Sequence, residues 1–276
     1  MIIPSYAKIN LGLKIINKRP DGLHNIESFF LQISLHDSLT FSSSNKFSII
    51  SKGISCPTNQ NNILFKVIDI LKKEYDININ FKVLINKNIP IGAGLGGGSS
   101  NAAAFLKYLL EVNQIKLSNE KLVKLASQIG SDVPFFLKGG FQLIKGIGDH
   151  LQPIETTVFN NKKILLIHPK FHISTKWAYS EVKKHLLTSN NKPKFSALTE
   201  KVNWNLFEND FEKFVCTTYP EILKLKKLLK NDGALYSGLS GSGSTVFGLY
   251  NDNQSFDNIL SLLKDYHTNI AFPIIQ

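Results

Sequence analysis

Cysteine and arginine are nearly absent from this chain. Only Cys56 and Cys216 occur in 276 residues, with no C-x-x-C spacing, so neither a disulfide framework nor a cysteine-built zinc site is expected. Arg19 is the sole arginine. No apolar run approaches the ~18 residues that a membrane-spanning helix needs, and mean hydropathy is close to zero at -0.04. The stretch Met1 to Lys8 has no basic leader ahead of an apolar segment. We therefore expect no signal peptide and a bacterial, cytoplasmic protein without a membrane partner. Hydrophobic residues make up 43% of the chain, which excludes a disordered polypeptide.

What is abundant is lysine. The net charge is +11 and the isoelectric point is near 9.4, values compatible with a nucleic-acid binder or an enzyme of polyanionic substrates. The lysines are dispersed and not blocked together. That pattern reads as compositional bias on a solvated surface. An RNA-binding module would also want aromatic-rich strand motifs, which do not appear, and arginine, which is almost absent.

The length fits roughly two domains. Ile9, Leu11, Leu13 and Ile15 alternate with Lys8, Asn10, Gly12 and Lys14, the period of a half-buried strand. Lys8 and Asn10 then project from the face opposite the core. Pro20-Asp21-Gly22 signals a turn, and Phe29, Leu31, Ile33 and Leu35 mark a second strand. Asn61-Asn62 can cap a helix striped by Leu64, Val67, Ile68 and Leu71. A strand follows through Ile79, Phe81, Val83 and Ile85, and a helix is expected over Asn119 to Ile129, stopped by Gly130. Beyond Gly148 we expect a strand at Ile164–Ile167 and a helix capped by Ser174 through Trp177, Val182 and Leu186. Helical pattern then runs from Ser196 to Lys230, followed by strand, loop and strand over Tyr236 to Tyr250. A helix over Phe256–Tyr266 and a last strand over Ile270–Ile274 complete the chain. The mixture reads as α+β, with a boundary at residues 150–160 that divides the chain into 1–153 and 154–276.

The most unusual segment is Pro90-Ile91-Gly92-Ala93-Gly94-Leu95-Gly96-Gly97-Gly98-Ser99-Ser100, which runs into an Ala-rich helix start. Glycines let backbone approach a ligand closely, and the first-turn N–H groups and helix dipole attract anions. No lysine follows the glycines, so this is not a Walker A loop. Gly92, Gly94 and Gly97 satisfy G-x-G-x-x-G, but no buried strand runs straight into them. The acidic residue at the right distance, Glu120, opens a helical pattern, so a dinucleotide fold is disfavoured. A second loop, Gly238-Leu239-Ser240-Gly241-Ser242-Gly243-Ser244, reads either as a hinge or as part of a shared cleft. Taken singly, Asp132 reads as a helix N-cap, Lys8 as a solvated strand lysine and His24 as a surface histidine.

These segments occur in a telling order: Ala7-Lys8-Ile9-Asn10-Leu11-Gly12-Leu13, Arg19-Pro20-Asp21-Gly22-Leu23-His24, the Pro90–Ser100 loop with Asn101-Ala102-Ala103, Gly130-Ser131-Asp132-Val133-Pro134-Phe135-Phe136, and Gly238–Gly243. From end to end the chain resembles the GHMP kinase superfamily and, within it, the 4-diphosphocytidyl-2-C-methyl-D-erythritol kinase family. The resemblance implies a two-lobed fold, with an N-terminal lobe like ribosomal protein S5 domain 2 and a ferredoxin-like C-terminal lobe. It implies transfer of the ATP γ-phosphate, with Mg²⁺, to the 2-hydroxyl of the methylerythritol part of a cytidine diphosphate conjugate.

The resemblance also implies roles. Backbone N–H groups of the Pro90–Ser100 loop would hold the triphosphate, with Ser99 or Ser100 near the metal or phosphates. Asp132 would accept the hydroxyl proton, and Lys8 would orient it and hold it ionised. Asn10 would face the substrate beside Lys8, and Gly241 and Ser242 would line the acceptor side. His24 falls where the family reads the cytosine edge, and Thr175 and Tyr179 where it contacts the acceptor and stacks on the base. The family commonly has Tyr where this chain has Leu23, which forfeits ring stacking of about 1–3 kcal/mol and leaves more of it to Tyr179. Small molecules are the implied partners, with no nucleic acid, and a monomer or weak homodimer is expected. A homoserine or mevalonate kinase of the same superfamily would share the glycine loop, but has no need of the Asp21-Gly22-Leu23-His24 turn or the Lys8/Asn10 pair.

Overall fold

The computed structural model describes residues 1–185 and 202–275. The chain opens with a long hairpin. Strand β1 (Ile2–Lys18) pairs antiparallel with β2 (His24–Ser43). The turn between them is held by Asp21, whose Oδ1 accepts from Leu23 N–H at 3.0 Å. Strand β3 (Ser48–Gly53), helix α1 (Ile63–Leu71) and strand β4 (Phe81–Lys87) follow. Asn62 caps α1 by accepting from Leu64 N–H at 3.1 Å. Helices α2 (Gly97–Val112), α3 (Asn119–Ile129) and α4 (Val133–Lys138) lead to strands β5 (Phe141–Gly146) and β6 (His150–Pro153). The sheet runs β3-β4-β2-β5-β6, with β1 also on β2. β2 is long enough to pair with β5 through its first half and β4 through its last.

The second sheet holds β7 (Lys162–His168), β8 (Tyr236–Leu239), β9 (Val246–Asn251) and β10 (His267–Ala271) in the order β10-β7-β9-β8, all antiparallel. Helices α5 (Thr175–His185), α6 (Glu212–Thr218) and α7 (Pro220–Asn231) lie between β7 and β8, and α8 (Asp257–Leu262) between β9 and β10. This is the β-α-β-β-α-β succession of a ferredoxin-like unit, and the molecule is a two-lobed α+β protein.

Three cores divide the interior. One lies between the first sheet and α1–α4, around Phe41, Phe81 and Phe105. Another lies between the second sheet and its helices, around Leu165, Phe211 and Leu225. The third, with Ile9, Leu31, Leu166 and Phe247, joins residues of the two sheets to each other. Ile9 and Leu11 thus face the other lobe, and Lys8 and Asn10 face the helices.

Several elements depart from expectation. The middle of β1 has no solvated face: Lys8 is 3% and Asn10 1% exposed, because the α2 and α4 region covers the side opposite Ile9. The helical pattern from Ser196 is broken: its first residues lie outside those described, and the rest divides into a 3₁₀ turn at Trp204–Leu206, α6 and α7. Asn209 Oδ1 accepts from Phe211 N–H at 3.0 Å ahead of α6, and Pro220 starts a fresh helix because it lacks the N–H that a continuing one needs. The expected strand Ile270–Ile274 is two strands. Pro273 cannot extend the ladder, and β11 (Pro273–Ile274) crosses to pair with Ile33 and Gln32 of β2 in the first sheet. α8 ends at Leu262, short of Tyr266, and Leu186 lies outside the described residues.

Candidate active site

A buried carboxylate sets the span of the glycine-rich loop. Asp37, with no exposed surface, pairs with the Lys87 ammonium at the end of β4. It also accepts from the backbone N–H groups of Asn88 and Ile89 at 2.8 and 2.9 Å, and from Asn101 Nδ2 on α2 at 3.0 Å. The chain before the loop and the helix after it are thereby tied to one point. A buried ion pair this well satisfied is costly to break from one side only. Neither Asp37 nor Lys87 stood out in the sequence; the signal available was a lysine three residues ahead of the loop's proline.

Gly94 and Gly96 take left-handed φ values of 80° and 68°, which only glycine adopts without strain. Ser100 N–H donates to Gly96 O at 2.8 Å, so the N–H groups of Gly97, Gly98 and Ser99 precede the first intrahelical bond. They line a cavity of about 360 Å³ together with Cys56, Asn61 and Lys87. The hydroxyls of the two serines divide. Ser100 is 3% exposed and accepts from Ser5 Oγ at 2.8 Å, whereas Ser99 lines the cavity.

The second glycine loop, between β8 and β9, lies against the first. Thr245 N–H donates to Ala93 O at 3.2 Å and Ser240 Oγ to Gly94 O at 2.8 Å. Lys8 N–H donates to Leu95 O at 3.0 Å. The second loop is fixed in turn by Asn209, whose Nδ2 donates to Leu239 O and Gly241 O at 2.9 and 2.8 Å.

Beside both loops sits the Lys8 ammonium. It donates to Asn10 Oδ1 at 2.5 Å, lies 3.4 Å from Asp132 Oδ2 and 4.3 Å from the Phe30 ring centroid. Burial pushes its pKa down, and the Asp132 charge works against that shift. Asn10 is anchored through Nδ2 to Ser28 Oγ at 3.0 Å. Asp132 stands just before α4 yet makes no capping bond; its partly exposed carboxylate pairs with Lys8 instead. Gly241 faces this group, since a Cβ there would lie 3.4 Å from Asn10 Oδ1. Ser242 Oγ and Thr175 Oγ1 are hydrogen-bonded at 3.0 Å.

On the other side of Asp132 opens a cavity of about 660 Å³, lined among others by Leu23, His24, Ser131, Gly148 and Tyr179. His24 and Tyr179 stack, with ring centroids 4.9 Å apart and planes at 24°. Phe211 backs Tyr179 edge-on at 5.0 Å. Burial, with the Asp132 charge adding, pushes the Tyr179 hydroxyl up to about 12. Leu23 is half exposed at the rim. The structure therefore brings together a helix start with unmatched N–H groups, a buried lysine paired with a partly exposed carboxylate, and an aromatic-walled cleft.

Comparison with known proteins addresses which chemistry this serves. The profile of GHMP kinases N terminal domain matches residues 62–140, and that of GHMP kinases C terminal matches residues 193–267. A protein of Chlorobium chlorochromatii (strain CaD3), named 4-diphosphocytidyl-2-C-methyl-D-erythritol kinase, is 38% identical over 97% of this chain and 94% of its own. The chain belongs to the GHMP kinases. Within them, a crystal structure of 4-(cytidine 5'-diphospho)-2C-methyl-D-erythritol kinase superposes with a TM-score of 0.82 at 25% identity, covering 99% of each chain. The mevalonate kinase of Methanococcus jannaschii shares the GHMP fold at a TM-score of 0.74 and 16% identity, over 99% of this chain and 98% of its own. As a GHMP kinase the protein uses ATP. Among the described residues no helix is long and apolar enough to cross a membrane.

Proposed function

We propose that this kinase transfers the γ-phosphate of ATP to the 2-hydroxyl of 4-diphosphocytidyl-2-C-methyl-D-erythritol. The observation that carries this reading is the position of the Lys8–Asp132 pair. Lys8 touches the glycine loop through Leu95 O, and Asp132 adjoins Ser131 in the wall of the aromatic cleft. Phosphoryl transfer needs positioning and charge stabilisation above all, and these residues adjoin both the glycine loop and the aromatic cleft.

On this proposal ATP lies on the lobe of residues 1–153, its phosphates against the N–H groups of Gly97, Gly98 and Ser99. The acceptor lies between this lobe and residues 154–276. Asp132 takes the proton of the attacking hydroxyl as the new O–P bond forms and the bond to the β-phosphate oxygen breaks. Lys8 orients Asp132 and offsets developing negative charge. Asn10, Gly241, Ser242 and Thr175 orient the acceptor. His24 reads the edge of cytosine, and Tyr179 offers the ring face that Leu23 does not.

Among the described residues no group of three or more His, Cys, Asp or Glu side chains could hold a metal by itself. Magnesium in such sites is held mainly by substrate phosphates with one or two protein oxygens, and the Ser99 hydroxyl, in the wall of the glycine-loop cavity, fits that role. When bound, it would neutralise phosphate charge. A coupled ADP-release assay with Mg²⁺ and ATP tests the assignment across three acceptors. Turnover is expected with the cytidine conjugate and not with homoserine or mevalonate; silence with the conjugate would overturn it.

A further inference from the structure

Carbonyls 93, 94 and 95 of the glycine loop are held by Thr245, Ser240 and Lys8. The carbonyl before them is held as well, by a residue outside every motif considered above. His172 Nδ1 lies 3.0 Å from Gly92 O. A carbonyl only accepts, so Nδ1 carries the proton. The ring also rests on the Gly92 backbone, where a Cβ would come within 2.6 Å of Cε1. His172 stands in the connection between β7 and α5, three residues ahead of Thr175. The segment that supplies Thr175 and Tyr179 on the acceptor side therefore also reaches the loop on the nucleotide side.

A trans peptide unit is planar, with its C=O and the following N–H pointing opposite ways. Fixing Gly92 O from one side thus fixes the direction of the Ala93 N–H on the other. Four consecutive carbonyls, anchored from three separate segments, leave the loop's N–H groups oriented before a ligand arrives. Pre-orientation of this kind raises affinity by lowering the ordering cost of binding.

We propose that His172 is a positioning residue for the nucleotide: it latches the second lobe to the leading peptide of the phosphate loop and so sets ATP affinity without taking part in the transfer. The proposal rests on the loop's being the ATP site. His172 is exposed, so its replacement leaves the cores intact.

Three variants test it, each measured by steady-state kinetics and by calorimetric binding of a non-hydrolysable ATP analogue. His172→Ala is expected to raise KM for ATP and the analogue's Kd by roughly 3- to 10-fold, the scale of one hydrogen bond. The acceptor's KM and the melting temperature are expected to stay unchanged and kcat to move less than about 2-fold. His172→Asn, whose amide can donate to the same carbonyl, should recover most of the loss; His172→Phe, which keeps a ring but no donor, should not. Wild-type nucleotide affinity in the Ala variant overturns the latch, as does recovery by Phe but not by Asn. Because the calorimetric arm needs no acceptor, a weakened analogue in an enzyme that ignores the cytidine conjugate would leave the latch standing and remove only the acceptor assignment.

Discussion

The two glycine- and serine-rich loops have nearly the same composition and opposite roles. The first runs from β4 into α2, and its N–H groups at Gly97–Ser99 precede the helix's first bond and line a cavity. The second joins two antiparallel strands, and Ser240, Ser242, Ser244 and Thr245 are all buried within it. Its hydroxyl and N–H groups grip the first loop's carbonyls. What distinguishes them is the element that follows. A helix leaves its leading N–H groups unmatched, while a strand pair consumes them in the ladder. Glycine richness alone does not make a phosphate site.

That contrast can be broken in graded ways. The largest expected effect bypasses both loops: Asp132→Asn should lower kcat by at least ~10²-fold with ATP affinity little changed, since neither loop supplies the base. Near-normal turnover would remove Asp132 from that role. Next comes Gly94, where the loops touch. A Cβ there would fall 2.0 Å from Ser240 O, at a φ of 80°, so Gly94→Ala should both weaken ATP binding and lower the melting temperature by several degrees. Gly98 has nothing within 4 Å of its notional Cβ. Gly98→Ala should therefore weaken ATP binding by roughly 10-fold with an unmoved melting temperature, because the methyl meets only the ligand. An equal loss of stability in both variants would show that the first loop is built as rigidly as the second.

The smallest effect concerns the buried loop's far end. His168, beside Thr245 Oγ1 at 3.0 Å and Asn269 Oδ1 at 2.9 Å, has its pKa lowered by burial from 6.5 to about 4. Between those values the unfolded chain binds a proton that the folded one does not. Stability is then full above pH 6.5 and falls as pH drops toward 4. The melting temperature should fall less steeply over that window in His168→Gln than in the parent protein.

Much of this was legible beforehand. Helix α3 spans the expected residues, because the stop at Gly130 acts locally. The Pro90–Ser100 loop announced its helix for the same reason. The burial of Lys8 was not legible: alternation tells which side chains share a face, but not whether α2 and α4 will cover it. Asp37 and His172 act on residues fifty and eighty positions away, and no local pattern encodes such meetings. The last strand was misjudged because Pro273 interrupts an apolar run that continues in composition but changes sheets in space.

That crossing has a consequence for how the chain is made. Synthesis proceeds from the N-terminal end, and the β1–β2 hairpin is complete once residue 43 has been added. Its partner at Ile33 and Gln32 is β11, which is polymerised only after the whole second sheet. The third core likewise needs Leu166 and Phe247 to cover Ile9 and Leu31. The nascent first lobe must therefore wait on the ribosome with one apolar face uncovered until the second lobe emerges. The cleft walled by Tyr179 thus forms long after the hairpin that carries Lys8 has been made.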